Sequence, residues 1–84
     1  MAVTLRYFAA AKAVLGRGGE TREAAGIRIG ELLRTLASET ADPPAASAVL
    51  ERCSFLLNAE ATTDLRAVLA DGDTLDVLPP FAGG

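Results

Sequence analysis

The two ends of the chain alternate apolar and polar residues, which predicts strands at both ends. Residues 3–8 (VTLRYF) alternate with a period of two, the pattern of a strand that buries one face. Residues 74–78 (TLDVL) repeat it after an Asp-Gly-Asp turn at 71–73, and residues 54–58 (SFLLN) also have strand composition. Residues 20–25 have a weak pattern, and we predict a strand there because the first strand needs a partner.

Three segments between these strands have helical features. Residues 9–15 are rich in alanine and are followed by Gly16, which predicts a short helix. Asp42 precedes Pro43, a typical N-cap with proline at the first helical position, so a helix should run from there to about Arg52. The main helix is predicted from an apolar stripe at helical spacing. The residues of this stripe are Ile29, Leu32, Leu33, Leu36 and Ala37.

The predicted order of elements is β-α-β-α-α-β-β. Strands at both ends with helices between them cannot all be hairpin neighbours, so the sheet should be mixed, with its helices packed on one face. These features place the chain in the α+β class. We expect one domain, residues 1–78, followed by an extended C-terminal tail, residues 79–84.

Composition excludes several functional classes. The 84 residues carry 8 Lys+Arg against 11 Asp+Glu, contain no His and hold a single Cys. A His-based triad, a His-ligated metal or haem site, a multi-Cys cluster and an internal disulfide are therefore excluded. The net negative charge disfavours nucleic acid, and no leader or membrane-spanning pattern is present. We expect a cytoplasmic protein that binds neither nucleic acid nor membrane.

The side chains that could still carry chemistry are explained better by structural roles. Cys53 lies on the apolar side of a helix end, with no His to activate it, and we expect a buried thiol. Asp71 and Asp73 flank a turn glycine, and Asp76 fits the solvent face of a strand. We therefore expect no catalytic side chain and no metal site in this chain.

The segment after the last strand is the most informative one. Two consecutive prolines begin residues 79–84 (PPFAGG), so this segment should leave the domain as a stiff arm with a reach of roughly 20 Å. Gly83 and Gly84 present a bare backbone that can thread a narrow channel. The Gly84 carboxylate is an anion at neutral pH that no nucleophile attacks readily. Adenylation by ATP would activate it, and a sulfur donor could then convert it to a thiocarboxylate.

Three segments carry a resemblance to a known family. The ending PPFAGG resembles P-P-x-x-G-G, residues 69–73 (LADGD) resemble L-x-D-G-D, and residues 3–16 (VTLRYFAAAKAVLG) resemble an opening strand with a short helix. In all three the chain is similar to the small subunits of molybdopterin synthase, which are sulfur carriers with the ubiquitin-like β-grasp fold. It departs from that pattern at Arg28, a poor N-cap for the main helix, and in the polar stretch at 60–64.

The resemblance implies a function for the tail. A ubiquitin-activating-type enzyme would use ATP to adenylate Gly84 and then convert it to a thiocarboxylate, which donates sulfur to a pterin precursor in the large subunit. This chain would bind no cofactor and would be a carrier rather than an enzyme, with the catalytic side chains on its partners. The resemblance also implies which residues meet those partners. The tail residues that thread the partner's site are Pro79, Pro80, Phe81, Ala82 and Gly83, and the residues that contact the large subunit are Lys12, Leu78 and Phe81.

Two other functions stay open at this point. One is a carrier of the same fold that serves another pathway, such as thiamine synthesis. The other is a ubiquitin-like interaction module whose tail is chemically inert, since two glycines at a terminus are often only frayed chain. The proline pair and the helix at 42–52 favour the molybdopterin type, because the thiamine-type carriers resemble shorter chains without that insertion.

Overall fold

The computed structural model describes residues 1–80, which form a five-stranded sheet and three helices. In chain order the elements are β1 (Ala2–Tyr7), α1 (Ala9–Leu15), β2 (Gly19–Glu23), α2 (Ile29–Ser38), α3 (Pro43–Arg52), β3 (Ser54–Leu57), β4 (Glu60–Thr62) and β5 (Thr74–Leu78). The sheet order is β2-β1-β5-β3-β4. The central strand β5 runs parallel to β1 and antiparallel to β3. The predicted mixed sheet and α+β class are confirmed.

One face of the sheet forms the hydrophobic core with the helices. Strands β1, β5 and β3 alternate so that every second residue points into this core, and these residues are Val3, Leu5, Tyr7, Leu75, Val77 and Phe55. From α2 the core receives Ile29, Leu32, Leu33, Leu36 and Ala37. The predicted stripe of the main helix is therefore confirmed in full. All three helices contribute to the same core, α1 through Leu15 and α3 through Ala46 and Leu50.

The helix ends follow the local chemistry of the sequence. The Asp42 side chain accepts a hydrogen bond from the backbone N–H of Ala45 at 3.2 Å, so the predicted N-cap of α3 is confirmed. Arg28 precedes α2 and makes no side-chain capping bond, as its poor fit to that position suggested. The helix α1 ends at Gly16, whose φ of +78° is in the left-handed region that glycine adopts without strain.

Strand β4 is absent from the sequence-based prediction, which treated residues 59–66 as a polar stretch. The hairpin from β3 turns through Asn58 and Ala59, both with positive φ, and then adds only the three residues Glu60–Thr62. A strand this short at the sheet edge buries no complete side chain. It is held by backbone pairing with β3, which leaves no periodic signal in the sequence.

Strand β2 pairs with β1 through its backbone, and its side chains on the helix side form a polar cluster instead of apolar contacts. The Tyr7 hydroxyl donates to Glu20 at 2.6 Å, and the Nε groups of Arg17 and Arg22 donate to the same carboxylate at 2.7 and 3.0 Å. Arg22 also donates to Glu39 after the end of α2, at 2.9 Å through Nη1. Glu20 and Arg22 therefore point toward the helices at positions where the other strands carry apolar residues, which explains the weak pattern of this segment.

No helix within residues 1–80 is long and apolar enough to cross a bilayer.

Truncation of the α2 stripe tests the core. Leu36 is fully buried, and we expect Leu36→Ala to lower the free energy of unfolding by about 2–5 kcal/mol, because it removes buried contacts and leaves a cavity. Thr35→Ala is the matched control, since Thr35 is the exposed neighbour on the same helix and should change stability by less than about 0.5 kcal/mol. Urea titration measures both variants. Equal effects would mean that α2 is packed by a different face.

The Glu20 cluster should make stability depend on pH. Burial acts to raise the pKa of Glu20, but hydrogen bonds from Tyr7, Arg17 and Arg22 outweigh it, and the pKa is lowered. A carboxyl group with a lower pKa in the folded state stabilises the fold above its unfolded pKa of about 4.3, and this stabilisation is lost as the pH falls. We therefore expect the free energy of unfolding to fall below about pH 5, and to fall less in Glu20→Gln.

The control for this experiment is Glu51→Gln, because Glu51 is exposed on α3 and forms no ion pair within the described part of the chain. It should leave the slope of stability against pH close to that of the unmodified protein. Urea titrations at several pH values between neutral and acid give the slopes. If Glu20→Gln and Glu51→Gln have the same slope, the Glu20 cluster is not the origin of the pH dependence.

Candidate functional site

The base of the tail lies at the edge of the sheet where β1 and β5 both end. Because these strands are parallel, their C-terminal ends meet there, and the Phe8 N–H donates to the Val77 carbonyl at 3.0 Å. On its other side β5 pairs with β3 up to the match of Leu78 with Ser54. The next residues are exposed prolines without an N–H donor. Both neighbouring strands therefore fix the direction in which the chain leaves the sheet.

Four of the predicted tail residues, Phe81, Ala82, Gly83 and Gly84, lie outside the described residues. Of the others, Pro79 and Pro80 are exposed and Leu78 is half-buried. Their roles in threading and partner contact stay predictions.

The third predicted contact residue, Lys12, lies on α1 and is exposed. Its side chain extends over the loop between α1 and β2, where an added Cβ at Gly18 would lie 3.6 Å from the Lys12 Cε. Leu78 is in a different element, at the end of β5. The role of Lys12 in partner contact likewise stays a prediction.

The side of the sheet away from the helices is a second feature of the site, and we call it the open face. It is lined by the alternate residues of the five strands that point away from the core, namely Ala2, Thr4, Arg6, Gly19, Thr21, Glu23, Ser54, Leu56, Ala61, Thr74, Asp76 and Leu78. Phe8 follows Tyr7 in extended conformation and is 40 % exposed. It lies beside the tail base, so it belongs to the candidate contact surface although the prediction did not include it. Continued alternation after Tyr7 is the signal that could have identified it.

The expected solvent exposure of Asp76 is wrong. The parallel register places Arg6 beside Asp76, and the Arg6 Nε and Nη2 donate to the two carboxylate oxygens at 2.6 and 2.7 Å. The Asp76 side chain is only 6 % exposed, whereas that of Arg6 is 55 % exposed. Asp76 does point away from the helices, as alternation requires, but the arginine and the neighbouring strands exclude water from it. Charged pairs in this bidentate geometry are among the strongest in proteins.

The other acidic residues belong to the turn before β5. Asp73 accepts hydrogen bonds from the Ala70 N–H at 2.8 Å and from the Asn58 amide at 2.9 Å, and the bond from Asn58 is the largest cause that lowers its pKa. Asp71 accepts from the Ala2 N–H at 2.9 Å. The predicted turn role of both residues is confirmed. Within residues 1–80 no group of three or more Asp, Glu, Cys or His residues is placed to hold a metal ion.

Cys53 is half-buried rather than fully buried. It packs against the core, and its thiol donates to the Val49 carbonyl at 3.3 Å. It also lines a shallow groove of about 460 Å³ together with Phe55 and Leu65. Burial raises the pKa of the Cys53 thiol, which lowers the fraction of reactive thiolate at neutral pH. The geometry is that of a structural cysteine.

Known proteins resemble this chain over its whole length. The sequence profile of the ThiS family matches residues 5–84. The molybdopterin synthase sulfur carrier subunit of Chlamydomonas reinhardtii is 34% identical over 88 aligned positions, which cover all of both chains.

Two solved structures also resemble the chain. One is from a complex of subunits 1 and 2 of the molybdopterin-converting factor of Helicobacter pylori, with 28% identity, full coverage of both chains and a TM-score of 0.68. The other is SAMP1 from Haloferax volcanii, with 26% identity, coverage of 100% of this chain and 100% of that chain, and a TM-score of 0.73. The expected ubiquitin-like β-grasp fold is thereby confirmed.

The environment of Cys53 predicts slow thiol chemistry. At pH 7.5 we expect the native protein to react with Ellman's reagent roughly tenfold or more slowly than the urea-unfolded protein, because the thiol is half-buried and its pKa is raised. Cys53→Ser combined with Ala48→Cys provides the control, since Ala48 is exposed on the same helix and a thiol there should react rapidly. Absorbance of the released thiolate gives the rates, and equal rates at the two positions would exclude a protected Cys53.

Proposed function

The chain belongs to the ThiS family, and we propose on this basis that it is a sulfur carrier that serves a molybdopterin synthase. The name of the full-length Chlamydomonas relative supports this assignment. So does the likeness to a subunit of the Helicobacter molybdopterin-converting factor. The family name alone specifies no pathway, and the choice of molybdopterin over thiamine synthesis therefore rests on these two relatives.

The observation that carries the proposal is the position of the tail base. Strand β5 is the central strand and is paired on both sides, so the segment that follows it starts from a strand that both of its neighbours hold in place. The adjacent prolines cannot continue the backbone pairing, and both are exposed. This start supports a tail that serves a partner, because Pro79 and Pro80 do not continue the sheet.

In the proposed chemistry the Gly84 carboxylate is the group that changes. An oxygen of the carboxylate attacks the α-phosphorus of ATP on the activating enzyme, pyrophosphate leaves, and an acyl adenylate forms. A sulfide equivalent then attacks the carbonyl carbon, and AMP leaves with the oxygen that sulfur replaces. The product is a thiocarboxylate, a good nucleophile toward an electrophilic carbon of the pterin precursor. Gly83 and Ala82 are small enough for the tail to enter an enclosed site.

Two partners follow from this chemistry. The activating enzyme binds ATP and holds the tail during adenylation, and the large subunit binds the pterin and supplies the catalytic side chains, so that this chain acts as a carrier without catalytic residues of its own. The surface that meets them lies around the tail base, where Leu78 and Phe8 provide apolar contact. In this proposal Phe81 is a further apolar residue that contacts the large subunit, and Lys12 contributes a positive charge on α1.

A second candidate function has a specific likeness in its favour. Another solved structure from Haloferax volcanii, with 25% identity, a TM-score of 0.72 and coverage of 94% of this chain, is described as small archaeal modifier protein 1. A modifier starts from the same acyl adenylate but finally links its terminus to an amine of another protein. The two functions therefore differ in the product at Gly84, a thiocarboxylate in one case and an amide in the other.

Changes at the tail tip test the proposal. We expect deletion of Gly84, or addition of one residue after it, to abolish sulfur transfer, because the reacting carboxylate would be displaced. Neither change touches the core of residues 1–78, so the unfolding midpoint should not move. The measurement is intact mass after incubation with ATP, the activating enzyme and sulfide. The unmodified protein should gain the mass difference between one sulfur and one oxygen atom.

The control adds one residue before Met1, at the opposite end of the chain, and should leave the mass gain unchanged. If the protein extended after Gly84 still gained sulfur and transferred it, Gly84 could not be the modified residue. If the unmodified protein instead formed amide-linked conjugates in cell extract without an intermediate that transfers sulfur to a pterin, the modifier function would replace the carrier function.

A further inference from the structure

The Arg6–Asp76 pair leaves part of the arginine free to bind another group. A guanidinium has five N–H groups, and the bonds to Asp76 use one on Nε and one on Nη2. Within residues 1–80 the other three make no hydrogen bond. Asp76 therefore occupies the side edge of the guanidinium. The end edge, formed by Nη1 and Nη2, is free on a side chain that is 55 % exposed.

The surroundings of Arg6 on the open face are uncharged. In the same row across the sheet lie Gly19, Leu56 and Ala61, with Asp76 buried beneath the arginine. The next row toward the tail holds Leu78 and Ser54. In these two rows Arg6 is thus the one exposed charge among the described residues, and it lies near the apolar side chains of Leu56 and Leu78 beside the tail base.

A large gain in stability is not expected from the pair. Arg6 stays 55 % exposed while the Asp76 carboxylate is removed from water, and the cost of removing that water offsets much of the attraction between the charges. Such a pair does fix the position of the guanidinium before any partner arrives, which favours specific binding.

A partner that covers this surface must satisfy the free donors of Arg6. When the surface loses its water, each N–H without an acceptor opposes binding, because its desolvation is not compensated. The end edge of a guanidinium matches the two oxygens of a carboxylate. The water-exposed charge on this part of the open face is positive, so a negative group on the partner is complementary to it.

We propose that Arg6 determines partner specificity: it binds an Asp or Glu carboxylate of the large subunit, while Leu56 and Leu78 pack against apolar residues around that carboxylate. This inference rests on the proposed function, since the large subunit is the partner that receives the tail. Asp76 is a positioning residue, because it orients the guanidinium without contacting the partner. A large subunit that places only apolar side chains opposite Arg6 should bind more weakly, because the free N–H groups of Arg6 would lose water without gaining an acceptor.

The test uses a double variant that keeps the fold neutral and hydrogen-bonded. Arg6→Gln combined with Asp76→Asn removes both charges together, so that no unpaired charge is left buried. We expect its dissociation constant for the large subunit of the same organism to rise at least about tenfold in calorimetric titration. The control is Arg34→Gln, because Arg34 is exposed on α2, away from the open face, and forms no ion pair within residues 1–80. It should alter the constant by less than about twofold.

Three results would overturn the inference. One is an unchanged dissociation constant in the double variant. A second is an equal loss in the double variant and in Arg34→Gln, which would indicate a general charge effect. The third is a loss of binding that matches a loss of folding, as measured by circular dichroism and urea titration, and that is fully reversed at a lower temperature where the variant is folded.

Failure of the proposed function has a different signature. In that case the unmodified protein neither gains sulfur mass in the activation assay nor binds the large subunit, and the role of Arg6 is refuted together with it. If the unmodified protein gains sulfur and binds, and the double variant binds equally well, only the role of Arg6 is refuted.

Discussion

The parallel pairing of β1 with β5 is the constraint on which the rest of the structure depends. It joins the first and the last strand of the chain at the centre of one sheet, so the two ends of the described chain are held by the same backbone hydrogen bonds. Parallel strands bring their C-terminal ends to one edge. The tail base, Phe8 and the start of α1 therefore lie together, and the surface that a partner would meet is a consequence of strand direction.

The two faces of this sheet have different tasks. Toward the helices, Leu5, Tyr7, Leu75 and Val77 form the core, and burial of apolar surface there is the main source of stability. Within residues 1–80 the other face has no helix over it, and it carries Arg6 on β1, beside the central strand β5. Truncation of an exposed side chain on the open face therefore removes less buried apolar surface than truncation toward the helices, which weakens the whole domain.

The sequence predicts the parts of this fold that depend on neighbouring residues. Alternation in β1 and the stripe of α2 are local patterns, and so is the Asp42 cap. The features that the sequence does not predict depend on contacts between segments that are distant along the chain. The burial of Asp76 requires the register with Arg6, 70 positions earlier in the chain. Likewise, β2 has no apolar pattern because Glu20 accepts hydrogen bonds from Tyr7, Arg17 and Arg22, which come together only in the fold.

At the site, Leu78 and the exposed prolines could be placed from the sequence. Phe8 and Arg6 could not, because their place beside the tail base depends on how the strands pair to form the open face.

A carrier that reacts through its main-chain end imposes a particular demand on its folded body. Under the proposed function no side chain of the domain has to be held near the reacting carbon, so the body would need none of the pKa adjustments that catalytic sites require. Three side chains with shifted pKa values have structural roles instead. Glu20 and Asp73 hold elements together, and burial protects Cys53. What the body must supply is a firm origin for the tail and a surface that selects the right partner. The paired strand β5 provides the first, and in our proposal the open face around Arg6 provides the second.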